Sequence, residues 1–116
     1  NPTGVITHLE HLKKWKGEKV IVMPCLIELG GSSRDKHFEI GKKIGEVCDL
    51  AIITTKDQIK AVQEGAQTEG LNKDKIVFAQ NIGDIIKQLK SYQKEGNIIL
   101  LEGRISDKLK KGLIQK

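Results

Sequence analysis

The chain has 116 residues, the length of one domain, with 38% hydrophobic residues, 30% charged residues and a net charge of +5. These proportions exclude a disordered chain, and apolar runs such as Val20–Met23 and Ile98–Leu101 fall far short of the roughly 20 residues of a membrane span. Cys25 and Cys48 each sit in or beside an apolar run, which predicts buried, reduced thiols in a cytoplasmic protein rather than a disulfide framework.

Asn1-Pro2 reads as a helix N-cap followed by proline at the first helical position. Val5, Ile6, Leu9 and Leu12 then recur at helical spacing, so a helix is expected over 2–16. Gly17 ends it, and Lys19–Cys25 is a short apolar strand. A glycine-rich loop, Leu26–Ser33, leads to a helix that Ser32 or Ser33 caps and that runs to Cys48, with Phe38, Ile40, Ile44 and Val47 inward. Strands are expected at 49–55, 75–79 and 97–101, and helices at 56–70, 82–95 and 106–115. Asn1 is not a methionine, and the chain is expected to be a piece of a longer protein.

Strands that are continuous apolar runs, separated by helices, predict a parallel sheet covered on both faces. The fold class is therefore α/β: a single three-layer, doubly wound, Rossmann-like domain spanning 1–116 with a mostly parallel sheet. Ligands of such sheets bind beyond the carboxyl ends of the strands. Four loops share that rim: Leu26–Ser33, Thr54–Asp57, Gln80–Gly83 and Glu102–Ser106.

The first rim loop is the longest, and its Gly30-Gly31-Ser32-Ser33 run at a helix start suits a carboxylate or phosphate. Arg34 runs against the helix-dipole preference and points to a ligand. The fourth loop sets Glu102 and Arg104 on either side of Gly103. With Glu28 and Lys56 these give the rim charges of both signs, which match a zwitterion such as an amino acid or dipeptide better than a polyanion. His8 and His11 lack the further ligands of a zinc site, and Gly41 and Gly45 inside a helix are explained by close packing. There is no GxGxxG after a strand and no GxxxxGK[ST] loop.

The string Glu28-Leu29-Gly30, Ser33, His37 and Gly41 reads ELGxxSxxxHxxxG, and Leu100-Leu101-Glu102-Gly103-Arg104 is similar to a strand ending in a KGSR-like turn. Over nearly its whole length the chain resembles the C-terminal domain of the Mur ligases, closest to the branch that adds D-alanyl-D-alanine to a UDP-N-acetylmuramoyl tripeptide. The resemblance implies the third domain of an enzyme of peptidoglycan synthesis that uses ATP and Mg2+ to activate a carboxylate as an acyl phosphate, which an amine then attacks. The P-loop and metal ligands would lie in the central domain, so neither catalytic nor metal residues are expected here. The implied partners are a UDP-MurNAc-peptide, an amino acid or dipeptide, and the enzyme's own N-terminal and central domains.

Carried over by motif, Asn1 matches the asparagine near the adenosine of ATP. Glu28, Leu29, Gly30, Ser32, Ser33 and Arg34 match the loop facing the incoming amine, and Glu102, Gly103 and Arg104 match the second substrate-facing loop. His37 matches the family's histidine. Two departures stand out: Pro24, Cys25 and Leu26 replace the usual Gly-Asp-Met, and Glu102 replaces a lysine, which changes the end of a zwitterion that is greeted there.

Two other functions compete. A stand-alone Rossmann-like module for a small anionic or zwitterionic ligand would depend on Arg34. Nucleic-acid binding would draw on the basic second half, which carries +4 against +1 for residues 1–58. The four aromatics, Trp15, Phe38, Phe78 and Tyr92, do not pair within a basic cluster as a nucleic-acid surface requires, so the lysines read as solvated.

Overall fold

A computed structural model describes residues 1–27, 29–103 and 107–114. Four strands, β1 (Lys19–Met23), β2 (Leu50–Ile53), β3 (Ile76–Phe78) and β4 (Ile98–Leu101), form one parallel sheet in the order β3-β2-β1-β4. β1 lies between β2 and β4, with Val20 opposite Leu50 on one side and Ile99 on the other. Successive side chains alternate across the sheet. Ile21 and Met23 therefore enter one core, and Val20 and Val22 the other.

The first core lies under α1 (Pro2–Leu12), α2 (Ser33–Val47) and α3 (Ile59–Thr68), the second under α4 (Ile82–Leu89) and α5 (Asp107–Ile114). The expected three-layer parallel architecture is present. So is the close packing expected at Gly41 and Gly45: a methyl group on Gly41 would strike the Val62 carbonyl, and one on Gly45 the Ala66 carbonyl. Gly65 backs onto the Phe38 carbonyl in the same way, so α2 and α3 touch backbone to backbone. Outside, Lys13 and Lys43 each bridge Glu10 and Glu46, closing a ring of four charges between α1 and α2.

Element ends differ from the sequence reading, and each has a local cause. β1 stops at Met23 because Pro24 has no N–H to continue a ladder. α1 stops at Leu12, the last residue on its buried stripe; the following Lys13, Lys14, Trp15 and Lys16 are exposed. α3 begins at Ile59 rather than 56, because Thr55 and Gln58 are tied to the end of β1. The Cys25 N–H donates to Thr55 Oγ1 (2.8 Å), and the Gln58 N–H donates to Cys25 Sγ (3.4 Å). α4 ends at Leu89 and a 3-10 turn, Lys90–Tyr92, completes that segment. Cys25 and Cys48 are both buried free thiols, as expected. Burial, reinforced by the Asp49 charge, pushes the Cys48 thiol up to about 12. Among the described residues no helix is long and apolar enough to cross a membrane.

Candidate functional site

The strand order places the site. From β1 the chain passes through α2 and α3 on one face to β2 and β3; it then crosses through α4 on the other face to β4, beside β1. β1 and β4 are thus neighbours whose following helices, α2 and α5, lie on opposite faces. Beyond their carboxyl ends the connections diverge, and this switch point is where the ligand crevice of such sheets lies. Two of the four rim loops meet there: the one after β1 and the one after β4.

The loop after β1 is held from within. The Leu26 N–H donates to His37 Nε2 (2.9 Å), and His37 Nδ1–H donates to the Ser33 carbonyl (2.7 Å). Both ring nitrogens are used, the proton sits on Nδ1, and the ring is fully buried. His37, which the motif places among the candidate substrate-binding residues without a role, uses its side chain to fix the loop's path one turn into α2. Ile27 lies 75% exposed on the same loop.

At the start of α2 the expected serine cap is replaced by a different arrangement. Ser32 occupies the N-cap position, but its hydroxyl donates to the Leu29 carbonyl (3.0 Å) and closes a 3-10 turn over Gly30–Ser32. Gly30 has φ +59, the left-handed conformation that glycine adopts without strain. α2 consequently begins without a side-chain cap. Arg34 does not join this crevice: its Nη2 pairs with Glu64 Oε1 of α3 at 2.8 Å. The backbone contact of α2 with α3 puts that acid within reach. Arg34 lines a separate 670 Å³ cleft over the β2–β3 side, together with Phe78 and Lys56, whose ammonium lies 4.9 Å from the Phe78 ring centroid.

After β4, the Glu102 N–H donates to the Val22 carbonyl (2.9 Å) and extends the ladder by one residue. Its carboxylate does not pair with Arg34 or Lys56 but with His8 of α1, whose Nδ1 lies 2.7 and 2.9 Å from the two oxygens. The Glu102 side chain is only 13% exposed. Gly103 follows at φ +81, and a Cβ there would come within 3.1 Å of Pro24. The two crevice loops therefore touch, proline against glycine.

Asn1 caps α1 as expected, its Oδ1 accepting the Gly4 N–H at 2.7 Å. Glu28 and Arg104, together with Ser106, lie outside the described residues. The sequence reading assigned no role to His8, although its spacing offers a signal. Three residues after Val5 and four before Leu12, it borders the buried stripe of α1. Among the described residues no three His, Cys, Asp or Glu side chains converge as a metal site.

A family model described as Mur ligase, glutamate ligase domain, matches residues 1–105. Two solved structures share the fold. MurF ligase from Thermotoga maritima in complex with ADP is 21% identical with a TM-score of 0.72, over 99% of this chain and 25% of that one. MurF from Acinetobacter baumannii is 25% identical with a TM-score of 0.74, over 100% of this chain and 26% of that one. No curated protein matches. The chain spans about a quarter of the length of the solved structures it matches. With its family match covering all but the last helix, the chain belongs to the Mur ligase family, as the domain that the family model describes.

Proposed function

We propose that the chain is the C-terminal domain of a cytoplasmic, ATP-dependent amide ligase of peptidoglycan precursor synthesis, which adds D-alanyl-D-alanine to a UDP-MurNAc-peptide. The observation that carries this reading is the switch-point crevice, where the loop after β1 and the turn after β4 meet through Pro24 and Gly103. A zwitterionic amine matches its two ends. The Glu102 carboxylate offers an acid to an ammonium group, and the glycine turn Gly30-Gly31 that leads into α2 offers backbone N–H groups to a carboxylate.

In the complete enzyme ATP supplies the phosphoryl group that activates the acceptor carboxylate. This domain's part is to hold the amine and, with the other domains, to exclude water while the amide forms. His37 contributes through the loop it staples rather than by touching the amine. Asn1 commits its Oδ1 to the helix cap, so a contact with adenosine falls to its amide nitrogen.

The test is phosphate release by the complete polypeptide. Release that requires both a UDP-MurNAc-tripeptide and D-alanyl-D-alanine, with no ATP turnover by residues 1–116 alone, supports the reading. Release that ignores the dipeptide, or steady turnover by the 116-residue chain, overturns it.

A further inference from the structure

We infer that His8 is a positioning residue for the incoming amine, acting through Glu102. The inference rests on the reading of the crevice as the amine site. Glu102 stands where β4 ends, beside the loop that follows β1, and its carboxylate is largely withdrawn from water. A carboxylate so placed needs a donor to satisfy its oxygens and keep one orientation. The structure supplies it from 94 residues away: a single His8 N–H is forked over both oxygens at 2.7 and 2.9 Å, which fixes the plane of the group as well as its position.

Three further contacts make this a directed arrangement rather than a loose surface pair. The Glu102 backbone is anchored to Val22, Gly103 is backed by Pro24, and His8 stands on a helix whose Val5, Leu9 and Leu12 are buried in the core. At Glu102 and Gly103 the backbone is held, the Glu102 side chain is the adjustable part, and His8 sets it. His8 itself is 55% exposed, so its replacement leaves the core intact.

The experiment is steady-state kinetics of the complete ligase with His8→Ala, His8→Asn, Glu102→Ala and the His8→Ala/Glu102→Ala double variant. Asparagine retains an N–H donor near the position of Nδ1. His8→Ala is expected to raise KM for the amine about tenfold while KM for ATP stays within about twofold, and His8→Asn to recover most of that loss. In the Glu102→Ala background the His8 change should move KM by less than about twofold, because the two residues act as one unit. An unchanged KM in His8→Ala, or an equal rise with and without Glu102, overturns the inference and leaves the ligase reading standing. If the wild-type enzyme adds no amine at all, the reading falls and the inference falls with it.

Discussion

The two loops that frame the crevice are fixed in opposite ways. The loop after β1 is tied by part-buried hydrogen bonds around the buried His37 ring and Cys25: Leu26 to His37, His37 to Ser33, and Cys25 to Thr55. The turn after β4 is tied by a glycine backed against Pro24 and by a charge-assisted bond to a half-exposed histidine on α1. The first set of bonds belongs to the fold, because an unmade buried hydrogen bond carries its full desolvation cost. The second ends on the half-exposed His8, which can be replaced without opening the core, and so remains free to be adjusted. One side of the crevice is thus a fixed wall, and the other a wall whose chemistry can be changed without unfolding the domain.

The largest expected effect breaks the fixed wall. His37→Ala strands the Leu26 N–H and opens a cavity, and should cost about 3 kcal/mol in urea unfolding. Gly103→Ala attacks the other wall through its backbone. The left-handed φ and the approach to Pro24 together should cost about 1–2 kcal/mol in the same measurement.

His8→Ala sharpens the contrast, since it should lower stability by less than about 1 kcal/mol, a loss that shrinks further in high salt. Removing a half-exposed partner and removing a buried one then differ severalfold on one scale.

The smallest effect lies outside both loops, in the charge ring between α1 and α2. The bonds from Lys43 and Lys13 hold Glu10 below its usual 4.5; Lys13 and then Lys43 hold Glu46 below it; and bonds to Glu46 and Glu10 raise Lys13 above 10.5. Depressed carboxylates stabilise the folded state above 4.5, and that contribution is lost as pH falls through their folded values. The raised lysine stabilises it below 10.5, and that contribution is lost as pH rises further. Urea midpoints should therefore drop slightly on acidification below 4.5, and Lys43→Met should make the drop smaller.

The sheet was legible because Val20–Met23, Leu50–Ile53 and Ile98–Leu101 are unbroken apolar runs, the pattern of strands in a parallel sheet covered on its faces, although β4 at the edge is only half-buried. Gly41 and Gly45 were legible for a similar reason: a glycine within an apolar helical stripe signals a backbone contact. Partners far apart in the sequence were not legible. Arg34 reads as a ligand contact until α3 brings Glu64 to it from thirty residues away. Glu102 has several cations nearby in the rim sequence, yet it takes His8 from the other end of the chain. His37 shows how a motif residue can be found without its role. The string located it, and only the path of Leu26 shows that its ring holds a loop.

The most direct test of the shared crevice is hydrogen exchange on the complete polypeptide with and without D-alanyl-D-alanine. The account predicts slower exchange in peptides covering 24–33 and 99–103, with peptides covering 56–62, at the Lys56–Phe78 cleft, unchanged. Protection confined to 56–62 and the residues around Phe78, with both crevice loops unaffected, would contradict it.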